Sequence, residues 1–169
     1  MIRPILHFPD KRLREAGKPV TAFDDALRAL VDDMAETMYA APGVGLAAPQ
    51  IGMALRLFIV DINTGDDQPS DLRVFANPQI VETHGKIRWE EGCLSFPDIR
   101  EEVDRAERIL VRAQDVSGTP YELEAEGLLA IAIQHEHDHL DGVLMIDHLS
   151  MLRRRLVNRA MTRRAVAAE

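Results

Sequence analysis

The sequence predicts an α+β fold, with mostly antiparallel sheets packed around a central buried helix, an N-terminal helix and a C-terminal helix. Three observations predict it. Strand-like segments run in a block between helical ones, the pattern of α+β chains with antiparallel pairing. One segment alternates strictly, Tyr121-Glu122-Leu123-Glu124-Ala125-Glu126, as a half-exposed strand does. The segment after it opens with the apolar run Leu128-Leu129-Ala130-Ile131-Ala132-Ile133, too apolar all round for a surface helix.

Taken in order, Leu27, Leu30, Val31, Met34 and Met38 recur at helical spacing, so a helix is expected over about 25–41, stopped by Pro42. Residues 55–61 and 108–115 read as strands, and the alternating strand at 121–126 follows a Ser117-Gly118 turn. The buried helix is expected over 127–140. A last helix begins near Ser150, with Leu149, Leu152, Leu156 and Ala160 expected on its inner face. The polar stretch from Asn63 to Asp71 is too short for an interdomain linker, and 169 residues suit one domain, 1–169, with 150–169 as a basic helical tail.

The central helix carries the chemistry. It contains His135-Glu136-x-x-His139. Residues four apart on a helix lie about 40° apart around the axis and about 6 Å along it, so two imidazoles can close on one divalent ion. Glu136 then projects beside them, within reach of a water as general base. This makes the central helix a metal-binding one. His137, about 200° round from His135, faces away.

A helix supplies only two ligands, so others must come from elsewhere. A metzincin would place a third His where this chain has Met145, although Gly142 falls in register. A thioether is a poor substitute there. A thermolysin-like enzyme would use a downstream Glu, and only Glu169 is available. Upstream stands the one cysteine, Cys93, in Glu90-Glu91-Gly92-Cys93-Leu94-Ser95. A lone Cys is by default a small buried hydrophobe, but the helix pair lacks a ligand and Gly92 lets the backbone approach. One thiolate and two imidazoles leave a coordination position open, as catalytic metal sites do. A third segment, Gly43-Val44-Gly45-Leu46-Ala47-Ala48-Pro49-Gln50, follows the first helix. A helix C-cap explains Gly43. Backbone exposed at Gly45 can pair with an extended peptide, and the Gln50 amide can donate to an oxyanion.

Together the three segments resemble the peptide deformylase family, whose signatures are G-x-G-L-A-A-x-Q, E-G-C-L-S and Q-H-E-x-D-H-L. The N-terminal Phe8-Pro9-Asp10-x-Arg12-Leu13-Arg14 stretch and most of the chain share the resemblance. Departures are small: His137 stands where an apolar residue is commoner, Asp104 precedes Arg105 where Pro is frequent, and Trp89 fills a variable position. The resemblance implies removal of the formyl group from N-terminal formyl-methionine of nascent polypeptides. It assigns Cys93, His135 and His139 to the metal, Glu136 to proton transfer, and Gln50 with the Leu94 N–H to the oxyanion. Val44, Gly45, Leu128, Ile131 and Ala132 would line the methionine pocket. Glu91, Arg105 and Asp138 are candidates to orient the ligands. The donor set suits zinc, whereas the resemblance implies ferrous iron, replaceable by zinc, nickel or cobalt.

Composition sets the surroundings. A net charge of −8 argues against general nucleic-acid binding. The tail nevertheless concentrates Arg153, Arg154, Arg155, Arg159, Arg163 and Arg164 against one Glu. Such a stripe is either a solvated face or, as in bacterial members of the resembled family, a ribosome-docking helix. No apolar run reaches membrane-spanning length, no signal-peptide pattern opens the chain, and the lone Cys suits a reducing cytoplasm. The alternatives are a small HExxH metallopeptidase cutting internal bonds and a non-catalytic ribosome-associated member of the family.

Overall fold

The computed structural model describes residues 1–168; Glu169 lies outside the described residues. A first helix, α1 (Asp25–Ala40), starts at Asp24, whose carboxylate accepts from the Leu27 N–H. It ends where Pro42 forbids continuation, and the Gly43 N–H closes the turn on the Met38 carbonyl. The chain then lays down β1 (Gly45–Ala47), β2 (Leu57–Val60), β3 (Arg73–His84), β4 (Ile87–Cys93), β5 (Phe96–Arg105), β6 (Arg108–Gln114) and β7 (Pro120–Glu126). Two helices follow, α2 (Gly127–Leu140) and α3 (Met151–Ala167). All named strand pairs are antiparallel, in a five-stranded sheet ordered β1-β2-β3-β6-β7 and a two-stranded β4–β5 hairpin.

Alternation on a strand separates two cores. In β2, Phe58 and Val60 pack with Phe75, Val111, Ala130 and Ile133 beneath α2, while Leu57 and Ile59 pack with Leu30, Met34 and Met38 of α1. Both faces of β2 are therefore covered, which is why Leu-Phe-Ile-Val is an unbroken apolar run. A third cluster joins Leu13, Phe96 and Val103 to Leu144, Met145, Ile146, Val157 and Met161. It anchors the β4–β5 hairpin and α3 to one another.

The expected helices at 25–41, 127–140 and beyond Ser150 are present, as are strands within 55–61, 108–115 and 121–126. The inner face of α3 differs from expectation. Leu152 and Leu156 are 67% and 44% exposed and Ala160 also faces solvent, whereas Val157 and Met161 are buried. Leu149 sits in extended backbone before the helix, and Ser150 caps it by accepting from the Arg153 N–H. Periodicity counted from Leu149 therefore starts outside the helix and sets the stripe about one residue out of phase. Strands β1, β3, β4 and β5 were not expected. The outer face of the β4–β5 hairpin is charged, with Arg88 on Asp104 and Arg100 on Glu90, so it lacks an apolar signature.

Candidate metal and catalytic site

The site lies where α2, the end of β4 and the segment around β1 meet. β7 passes into α2 with no intervening loop, and Gly127 takes a left-handed φ of +60° at the junction. This abrupt turn sends the polar end of α2 inward, so that His135, Glu136 and His139 are all buried. At the far end of α2, Gly142 (φ +69°) presses on the Arg14 carbonyl, a position that admits no side chain. Met145, in a short 3₁₀ turn over Met145–His148, is 2% exposed inside the third core cluster.

Cys93 closes β4 at an irregularity in its pairing with β5. The Cys93 sulfur and one nitrogen from each of His135 and His139 all lie within 4.8 Å of one another. The Cys93 Sγ to His139 Nε2 separation is 3.5 Å, and the two imidazole rings meet edge to face at 5.2 Å between centroids. A tetrahedral ion with metal–ligand bonds of about 2.0–2.3 Å needs ligand atoms about 3.3–3.8 Å apart, so these residues fit a divalent metal. Burial, reinforced by the neighbouring His135, pushes His139 down to about 3, leaving a neutral ring with a lone pair to offer.

His135 is oriented from behind. Its Nδ1 lies 2.8 Å from Glu91 Oε1, and a carboxylate can only accept, so Nδ1 carries the proton and Nε2 is free to ligate. Glu91 in turn receives Nε and Nη2 of Arg105 at 2.8 and 2.9 Å, and Arg105 Nη1 donates to Asp138 Oδ2 at 2.6 Å. Burial pushes the Glu91 carboxyl up, but the hydrogen bonds from Arg105 and His135 outweigh it and hold the group at about 2. Glu91, Arg105 and Asp138 thus form one connected chain ending on His135. His137 stands apart from the site, with Nδ1 3.8 Å from Asp141.

Glu136 is 5% exposed, and its Oε2 has no hydrogen-bond partner. Burial pushes its carboxyl up to about 7, helped by the charge of Glu91 and opposed by His135. A group poised there can both take and return a proton near neutrality. Space for it depends on Gly45, where a Cβ would fall 2.6 Å from Glu136 Oε1. Gln50 is 1% exposed. Its Oε1 accepts from the Ala47 N–H, and its Nε2 donates to Ser95 Oγ at 3.1 Å and lies 3.7 Å from Cys93 Sγ. Ser95 sits inside the quoted E-G-C-L-S signature but was assigned nothing on sequence grounds. The N-terminal segment straps this corner, with Leu6 N–H on the Gln50 carbonyl and Phe8 N–H on that of Ser95.

Residues expected around the methionine pocket divide in two. Val44 and Leu128 are 37% and 39% exposed. Ile131 and Ala132, one turn before His135 on α2, are almost fully buried, and Ala132 belongs to the core under the sheet. His148, whose Nε2 is 2.8 Å from Asp138 Oδ2, joins the Glu91–Arg105–Asp138 chain without any sequence signal to mark it.

Comparison with known proteins agrees over nearly the whole chain. A family model described as polypeptide deformylase matches residues 2–155. A peptide deformylase of Acidobacterium capsulatum is 51% identical over 169 residues, covering 100% of this chain and 99% of the relative. The crystal structure of a peptide deformylase from Legionella pneumophila is similar with a TM-score of 0.92 at 47% identity, covering 100% of this chain and 99% of that one. A peptide deformylase from Synechococcus elongatus, solved in complex with actinonin, has a TM-score of 0.88 at 39% identity, over 96% and 88% of the two chains. By motif, fold and likeness to these relatives, this chain belongs to the polypeptide deformylase family.

Proposed function

We propose that this protein hydrolyses the formamide of N-terminal formyl-methionine on nascent polypeptides, releasing formate and a free amine. The observation that carries the reading is the convergence of Cys93, His135 and His139 within 4.8 Å, with the buried Glu136 beside them. Cys93, His135 and His139 would hold a divalent ion, which when bound would supply Lewis acidity and lower the pKa of a water toward neutrality. Glu136 accepts the proton of that water and returns it to the departing amine. One N–H of the Gln50 amide is used on Ser95, and the other, beside Cys93, can turn to the oxyanion. The Leu94 N–H, which has no partner among the described residues, is the second donor. Val44, Gly45, Leu128, Ile131 and Ala132 receive the methionine side chain, whose burial contributes about 1.5–3 kcal/mol.

The resident ion in this reading is ferrous iron, as the family resemblance implies, with zinc, nickel and cobalt as substitutes that the same thiolate and imidazoles accept. The setting is the cytoplasm, with one catalytic domain and α3 as a docking element. Among the described residues no helix is long and apolar enough to cross a membrane. Ribosome association through α3 rests on its surface. Arg153, Arg154 and Arg164 are tied to Glu101, Asp147 and Asp98. Arg155, Arg159 and Arg163 are exposed at four-residue spacing, form no ion pair among the described residues, and face outward to meet phosphate.

The test is formate release from formyl-Met-Ala by protein prepared without oxygen, with metal analysis of the same sample. Glu136→Gln should keep the metal and lose turnover. Actinonin, bound by the Synechococcus relative, should compete with the peptide. Cleavage inside an acetylated peptide without formate release would overturn the reading.

A further inference from the structure

We propose that His148 is a positioning residue for the metal site, holding the imidazole of His135 through Asp138, Arg105 and Glu91. The inference rests on the metal-site reading above and adds a residue that lies outside all three signature segments. Its basis is the direction of each hydrogen bond. His148 Nε2 is 2.8 Å from Asp138 Oδ2, and Arg105 Nη1 is 2.6 Å from the same oxygen. A carboxylate accepts only, so His148 Nε2 carries a proton, and its 3.4 Å approach to Arg105 Nη1 brings two donors onto one acceptor. From there the chain alternates without a break. Arg105 gives a two-pronged contact to Glu91, and Glu91 Oε1 takes the His135 Nδ1 proton at 2.8 Å.

Exposure falls from His148 and Asp138 at the outer end to the nearly buried Arg105, Glu91 and His135. The side chains of His148 and Asp138 are 32% and 24% exposed, those of Arg105 and Glu91 4% each, and that of His135 8%. His148 is thus the outer end of a buried network. It opens on a groove between the β4–β5 hairpin and the start of α3, lined by Arg88, Arg100, Asp104 and Arg153. The donor is presented by a firm element. His148 ends the 3₁₀ turn whose Met145 and Ile146 are buried and whose Asp147 accepts from the Leu144 N–H and pairs with Arg14.

Two carboxylates compete for one guanidinium here. With the His148 donor in place, Asp138 is satisfied by two partners and Arg105 can keep both prongs on Glu91. Without it, Asp138 draws harder on Arg105, the grip on Glu91 loosens, and the ring of His135 gains freedom. Partners one step removed from a metal typically alter affinity about 10–100-fold, and this residue acts through intermediaries, so about 3–10-fold is expected.

The test compares cobalt-loaded wild type with His148→Phe, which keeps the ring volume and removes the donor, and His148→Gln, whose amide restores it. Release of cobalt to a chelator and the visible absorption of the ion are followed beside thermal melting. His148→Phe should release cobalt about 3–10-fold faster with an altered absorption envelope, and His148→Gln should stay within about 2-fold of wild type. Wild-type release from His148→Phe, or equal release from Phe and Gln variants, would overturn the inference. If His148→Phe does not fold, His148→Ala carries the same expectation. Cys93→Ser separates the two readings: it should abolish the thiolate-to-cobalt band, and a band unchanged by it would sink the metal site itself.

Discussion

At the scale of the residue, the site is a matter of fractions of an ångström. Gly45 was expected to line the substrate pocket, but its absent side chain also makes room for Glu136 Oε1. Gly45→Ala would place a methyl group 2.6 Å from that oxygen, so the carboxylate must move. Displacing a general base by about 1 Å costs roughly 100-fold in rate. The expected result is a fall of about that size in kcat/KM with metal content unchanged, measured by formate release and elemental analysis. His135, Glu136 and His139 were legible as a candidate site because helical spacing alone presents them together, whereas Cys93 lies on a strand far from them in sequence. Ser95 and His148 were not, because a hydroxyl beside Gln50 and a ring beside Asp138 become neighbours only when distant segments fold.

At the scale of the element, two attachments make separate predictions. Asp61 is buried and accepts from the hydroxyls of Tyr39 and Ser70 and from the N–H groups of Asn63 and Asp71, tying α1 and the 62–71 loop to the end of β2. Burial pushes its carboxyl up, but the four hydrogen bonds together carry it below the ordinary 3.8. A folded pKa below the unfolded one adds stability that is complete above the unfolded value and is lost as pH falls through the folded one. Asp61→Asn should therefore cost about 1 kcal/mol at pH 7, since the two hydroxyls can rotate to accept from the amide. That deficit should shrink below pH 3.8 in urea titrations across pH. The second attachment is α3. Met161→Ala should destabilise by about 2–3 kcal/mol, and Leu152→Ala should stay within about 0.5 kcal/mol, because only Met161 is buried. A larger effect at Leu152 than at Met161 would return the helix to the phase expected from sequence.

At the scale of the whole molecule, the proposed metal and the proposed role of the tail each make a prediction. A ligand bound only by the native state stabilises it by about 2.7 kcal/mol at a hundredfold excess over Kd, so chelation should lower the melting temperature reversibly. Replacing Arg155, Arg159 and Arg163 with Gln should weaken ribosome co-sedimentation and flatten its salt dependence while sparing hydrolysis of a free formyl peptide. The sequence by itself determined the α+β class, the helices and the three signature segments, because helical period, strand alternation and ligand spacing are local properties. The tertiary structure decided that the one thiol meets His135 and His139, which face of α3 is inside, and how Glu91, Arg105, Asp138 and His148 align behind His135. Those outcomes depend on contacts between residues far apart in the chain, whose mutual placement is fixed by packing of whole elements and leaves no periodic trace in the order of amino acids.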